Sequence, residues 1–342
     1  MRTRSTLIDT LKILASQLIV LHHLAVYSPM AHVLGESHPT LLGVLGDEGR
    51  LVVQCFLVIA GFLAAQAILS GRQLSLPQAI WGRYLRLAPQ FAVALLVLLL
   101  VMAAVAPFYQ PEWMSPWPSL WEFMAHVLML QGVLAVPALS AGAWYVAIDF
   151  QLYVSFAVLM CLLPRGASRV PPPLTIGCVA VLTVVSWFGF NHYSELDVWA
   201  LYFWGAYGLG VLAAWARASL VARGLLTLLL LMLLVDAAMA FRVRPALAAV
   251  TAWALWVVGE RDALPAILRA TWQALSDASY AIFVVHFAVI LGFSAAWSRH
   301  ASDSTLWAWS FFGLAWLVSV VLGMALHRCV KTPKNWTGIA RG

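Results

Sequence analysis

The stretch Leu120-Trp121-Glu122-Phe123-Met124-Ala125-His126-Val127-Leu128-Met129-Leu130-Gln131-Gly132-Val133-Leu134-Ala135-Val136 decides how this chain is threaded. It is apolar enough to be taken for a membrane span, yet it holds Glu122, His126 and Gln131, and Pro137 closes it. Around it the chain is 342 residues long, 63% hydrophobic and 10% charged, with a mean hydropathy of +0.88. Soluble domains carry about 25% charged residues, so a soluble enzyme, a disordered chain and a nucleic-acid binder are excluded. A spanning helix needs about 20 mostly apolar residues. That yardstick marks spans at roughly 7–29, 50–69, 82–106, 143–163, 174–190, 197–216, 222–241, 245–259, 278–297 and 306–327. The first run is full length, bears Lys12 and is followed by no small-residue cleavage site, so it reads as a span and not as a signal peptide. Cys55, Cys161, Cys178 and Cys329 lie far apart, so neither a disulfide framework nor a metal site is expected.

The basic residues choose between ten spans and eleven. If 120–136 does not cross, only Arg50, Arg242, Arg244 and Arg299 of the 20 Lys and Arg residues fall outside. If it does cross, the inside keeps only Arg2, Arg4, Lys12, Arg72, Arg83, Arg86, Arg242, Arg244 and Arg299. Cytoplasmic loops are enriched in Lys and Arg. The expectation is an all-α polytopic membrane protein, 1–342 forming one domain, with about ten spans and both termini cytoplasmic. The segment 120–136 becomes a short interfacial helix on the outer face. The loop around it, 107–142, carries Trp113, Trp117 and Trp121, which fit either an aromatic belt or a stacking surface for sugar rings.

Ionisable groups inside a bilayer cost about 2.5–3.5 kcal/mol on insertion scales and so mark candidate sites. Lys12 and His23 share the first span. Eleven residues put them about 16.5 Å apart along the axis and about 20° apart in azimuth. Asp149 lies one to two turns from the outer end of its span, at a depth matching His23, and a carboxylate beside an imidazole fixes its tautomer; the alternative is a pair with a structural arginine such as Arg50. Tyr153 is one turn deeper on the same face. Arg83 and Arg86 share a helix face at the cytoplasmic end of the third span, placed either to anchor it or to fork onto phosphates. Pro89 follows them. His286 is near the middle of the ninth span, where a structural histidine and a site residue are equally consistent.

These elements together resemble the membrane acyltransferase-3 family. Ile8-Asp9-Thr10-Leu11-Lys12 followed by His23 matches its opening signature, and Phe56-Leu57-Val58-Ile59-Ala60-Gly61-Phe62 its second-span element. Arg83 to Pro89 matches Arg-x-x-Arg-Leu-x-Pro, Trp144, Asp149 and Tyr153 the fourth-span element, and Ser279, Tyr280 and His286 the last. The likeness runs from residue 8 to about 287. It departs from the family where Lys12 replaces Arg, Ala60 replaces Ser and Asp149 replaces Glu.

The resemblance implies an integral-membrane O-acyltransferase of the bacterial inner membrane. Acetyl-CoA or another acyl-CoA would be the donor from the cytoplasm, with no permanently bound cofactor, and a polysaccharide or lipid-linked glycan the acceptor. It implies that His23 is the base, here oriented by Asp149, and that Arg83, Arg86 and Lys12 hold the donor. Trp144, Tyr153, Tyr280 and His286 would line the substrate channel. The chain ends at 342, without the hydrolase-like domain some members append, so one membrane domain is expected to do the work. A transporter or flippase for a lipid-linked glycan, or a non-catalytic relative, is the competing class. Acyl-CoA consumption separates them.

Overall fold

The computed structural model describes residues 5–71, 75–164, 169–239, 241–258, 264–300 and 303–330. Of the basic residues weighed for orientation, Arg2, Arg4, Arg72, Arg165, Arg261, Lys331, Lys334 and Arg341 lie outside these. No strand occurs among the described residues. In chain order the helices are α1 (Thr6–Tyr27), α2 (Met30–Ser37), α3 (Pro39–Asp47), α4 (Val53–Leu69), α5 (Leu76–Val105) and α6 (Leu120–Val127). There follow α7 (Ala143–Leu162), α8 (Pro173–Phe188), α9 (Ala200–Trp215), α10 (Leu220–Met239), α11 (Val243–Val258), α12 (Ala266–Arg299) and α13 (Thr305–Cys329).

Each of the ten apolar runs read as a span is a helix, and eight helices are long and apolar enough to cross a membrane. The chain is a multi-pass membrane protein. The other two, α9 and α11, have 16 residues each. At 1.5 Å per residue α9 is about 24 Å long, short of a hydrocarbon core of about 30 Å. Its surroundings explain this: every residue of α9 except Leu201 is buried, against α4, α7, α8, α10 and α11. A helix that touches no lipid need not match the lipid's thickness. The outer helices do face lipid, α10 exposing Leu228, Leu231, Leu234 and Val235 and α13 exposing Leu314, Leu317 and Val321.

Two expectations need correcting in extent. The helix expected over 120–136 covers only Leu120–Val127, started by a capping box in which Ser119 and Glu122 exchange hydrogen bonds. Beyond it Met129 and Ala135 have positive φ, and the chain folds back on itself. His126 holds the fold: Nδ1 bonds the Glu122 carbonyl at 2.8 Å and Nε2 accepts from the Leu139 N–H at 3.1 Å. Gln131 then donates to the Ala143 carbonyl at 2.8 Å, tying the loop to the start of α7. The third and ninth spans are also longer than expected: α5 begins at Leu76 and α12 runs 34 residues, about 51 Å. Arg83 and Arg86 therefore sit inside α5, two to three turns from its start. Between α1 and α4, where no element was expected, α2 and α3 lie over α1 and α13.

The core is assembled by two kinds of contact. Along α4 and α9 the backbones nearly touch: a Cβ on Gly61 would collide with the Tyr207 carbonyl, and one on Gly210 with the Val58 carbonyl. Small residues are what let membrane helices approach this closely. Along α1 and α12 the contact is polar and the two helices are parallel, since Thr10 meets Trp272, Lys12 meets Ser276 and His23 meets His286. This second seam positions the candidate site.

Candidate active site along the α1–α12 seam

The lowest rung joins α1 to α12 near their N-terminal ends. Ser276, fully buried, donates to Asp9 Oδ1 at 2.6 Å, and Lys12 Nζ donates to Ser276 Oγ at 3.2 Å. Trp272 Nε1 donates to Thr10 Oγ1 at 3.0 Å just below. The hydroxyl of Ser276 thus stands between a carboxylate and an ammonium, giving to one and receiving from the other. No sequence signal points to Ser276, because its partners are more than 260 residues away.

One step along, α5 and α7 supply an ion pair. Arg83 Nη2 reaches both oxygens of Asp149, at 2.6 and 2.5 Å, with side-chain exposures of 16% and 5%. The guanidinium also lies 5.1 Å from the centre of the Tyr153 ring, within cation–π range. Its Nε is buried and meets no hydrogen-bond partner among the described residues, and the same holds for the hydroxyl of Tyr207 on α9. Tyr280 donates to the Leu87 carbonyl at 3.0 Å, bracing α12 on α5. Arg86 differs from Arg83 in being exposed, with Arg83, Asp149, Tyr153 and Asp277 as its charged and polar neighbours.

The upper rung is a pair of histidines. His23 Nδ1 and His286 Nε2 are 2.6 Å apart, with ring planes within 5° of parallel and centroids 4.9 Å apart. His286 Nδ1 lies 2.6 Å from the carbonyl of Phe283, one turn back on α12. An aromatic cover closes over the pair: Tyr27 packs on His23, and Tyr27, Trp113 and Phe287 pack edge-on against one another. Of the three loop tryptophans, Trp113 joins this cover, whereas Trp117 and Trp121 are exposed. His22 points elsewhere, its Nδ1 2.9 Å from the Leu45 carbonyl.

Asp149 is not the partner of His23. The expectation of a His23–Asp149 pair assumed that α7 starts at the outer surface. The folded-back loop delivers it deeper, so that Gly142 packs on the Phe283 ring and Tyr145 lies 5.1 Å from the same ring. Asp149, one turn beyond Tyr145, is then level with Tyr280, roughly 10 Å below His286 along α12. At that depth the nearest opposite charge is Arg83. Trp144 is not drawn to the pair either: it stacks on Phe203 of α9 at 5.4 Å and is 39% exposed. Lys12, Arg86, Tyr280, His23 and His286 do lie on or beside α12 between Ser276 and His286, with Arg83 and Tyr153 next to Arg86. Tyr27 and Tyr207 were missed, although Tyr27, four residues after His23, shares its helix face.

Among the described residues no cluster of His, Cys, Asp and Glu is arranged to hold a metal ion. Comparison with known proteins gives one positive finding: a family model described as an acyltransferase domain matches residues 6–326. No curated protein and no solved structure matches the chain.

Proposed function

Since the chain belongs to the membrane acyltransferase-3 family, we propose that it moves an acyl group from cytoplasmic acyl-CoA to a sugar hydroxyl. The acyl group is acetyl, the acceptor a surface polysaccharide or its lipid-linked precursor, and the membrane the bacterial inner membrane. The observation that carries this reading is the order of contacts along α12, with Lys12 at Ser276 and Arg86 near Asp277 and the His23–His286 pair about 15 Å further on. A CoA thioester needs a cationic mouth for its phosphates and a base at the reacting carbon, in that order.

His23 takes the proton of the acceptor hydroxyl as its oxygen attacks the thioester carbonyl. The C–O bond forms, the C–S bond breaks, and the proton passes to the CoA thiolate. Arg86 faces the donor phosphates, with Lys12 beside the pantetheine. Arg83, committed to Asp149, holds the wall behind Arg86, so the two arginines divide the work that sequence assigned to both. Tyr153 and Tyr280 flank this passage, and Tyr27 and Trp113 cover the acceptor side.

The test is thiol release and binding of acetyl-CoA by the purified protein in detergent. Arg86→Ala is expected to weaken binding at least tenfold. His23→Ala is expected to bind normally and lose turnover by about 10²–10⁴. Failure of the wild type to bind or consume any acyl-CoA overturns the proposal and moves the protein to the transporter class.

A further inference from the structure

We infer that His286 is a positioning residue that fixes the proton of His23 on Nδ1 and leaves Nε2 of His23 as the base. This deepens the acyl-transfer reading and rests on it. Ring protons are assigned from the partners each nitrogen meets. The Phe283 carbonyl has no proton to give, so the 2.6 Å contact to His286 Nδ1 requires an N–H there. In a neutral imidazole the second nitrogen is then an acceptor. His286 Nε2 is 2.6 Å from His23 Nδ1, so His23 supplies the proton of that bond. The lone pair of His23 is left on Nε2, to which no described residue hydrogen-bonds.

The opposite arrangement would set the lone pair of His286 Nδ1 against those of the Phe283 carbonyl at 2.6 Å. That contact is repulsive and both rings are buried, so water cannot relieve it. No carboxylate bonds either ring among the described residues, and Asp149 is held by Arg83. The orienting task that acid–base triads give to a carboxylate is performed here by a neutral imidazole anchored on a helix carbonyl. When Nε2 takes the hydroxyl proton, the bond from His23 Nδ1–H to His286 becomes charge-assisted and stronger, which favours the transition state over the resting pair.

Two substitutions and one spectroscopic readout test this. His286→Gln keeps an acceptor toward His23 and an amide donor toward Phe283, whereas His286→Leu keeps neither. His286→Leu is expected to lower kcat for thiol release from acetyl-CoA by about 10²–10⁴, with the acetyl-CoA dissociation constant unchanged. His286→Gln is expected to recover kcat to within tenfold of wild type, and His286→Leu is expected to add nothing to a His23→Gln background. Ring-nitrogen NMR of ¹⁵N-histidine protein, assigned by those variants, reads the tautomer without any turnover. Wild type should show His23 protonated at Nδ1 and bare at Nε2, and His286→Leu should show a mixture. A proton on His23 Nε2 in the wild type, or equal kcat in His286→Leu and wild type, overturns the relay. The expected tautomer in a protein that consumes no acyl-CoA overturns the acyl-transfer reading and leaves the relay standing.

Discussion

The α4–α9 seam and the α1–α12 seam hold the same molecule together by opposite means. At the first, Gly61 and Gly210 remove side chains so that backbones meet. At the second, each rung is a side-chain hydrogen bond, from Thr10–Trp272 through Asp9–Ser276–Lys12 to His23–His286. A glycine contact fixes distance and does no chemistry. A polar contact in an apolar setting is directional, and its groups can give and take protons. Along α1 and α12 the chain pairs polar side chains, and along α4 and α9 it uses the absence of side chains to set distance.

The sharpest way to probe that contrast lies between the seams. Asp149→Leu leaves the Arg83 guanidinium buried without its partner, and a destabilisation of about 3–5 kcal/mol is expected, read as a fall in melting temperature in detergent. Arg83→Met in the same chain should recover much of it, because an apolar pair of similar volume removes the orphaned charge. Recovery of stability without recovery of acetyl-CoA binding would show that the pair shapes the site.

Next comes Gly61→Val, which pushes a branched side chain into the Tyr207 carbonyl. Overpacking of about 3 kcal/mol is expected, visible as lost monodisperse protein in size-exclusion chromatography. Normal yield and melting would break the contrast, since a seam built on close approach cannot absorb the substitution. Ser276→Ala should cost about 1.5 kcal/mol, at the lower end for a hydrogen bond to a charged group, and melting should register it with little loss of yield.

The smallest effect concerns the loop. Burial holds the His126 imidazole below its usual value of 6.5. The folded loop therefore takes up a proton less readily than the unfolded chain, so the anchoring is intact above 6.5 and weakens as pH falls below it. A proton on Nε2 would displace the Leu139 N–H. Hydrogen exchange around Leu139, corrected for intrinsic rate, should quicken on acidification and should be pH-independent in His126→Asn.

The membrane helices could be read from sequence because about 20 apolar residues in a row suit a bilayer and little else. α2 and α3 could not, being eight and nine residues with glycines, too short to suit a bilayer. His23, His286, Arg83 and Asp149 each stood out as a polar group in an apolar run, yet their pairing did not. Pairing depends on depth, and depth was inferred from helix ends on the premise that loops stay at the surface. The segment from Leu128 to Gly142 breaks that premise by descending beside Phe283. The partner of Lys12 was hidden for another reason: serines such as Ser276 are common in apolar helices, and only proximity to Asp9 gives this one a role.

The full enclosure of α9 has a consequence for how the chain is made. Two of the helices that wall it in, α10 and α11, are synthesised after it. When α9 leaves the ribosome it is about 24 Å of helix entering a bilayer of about 30 Å, its glycines able to meet α4 and α8 but the face that α10 and α11 will cover still toward lipid. Its early residence is therefore strained, and the strain is relieved only as later helices arrive and displace lipid from its surface. The expected consequence is an unfinished molecule that thins the membrane around one short helix until α10 and α11 arrive. A chain halted before α10 would stay there.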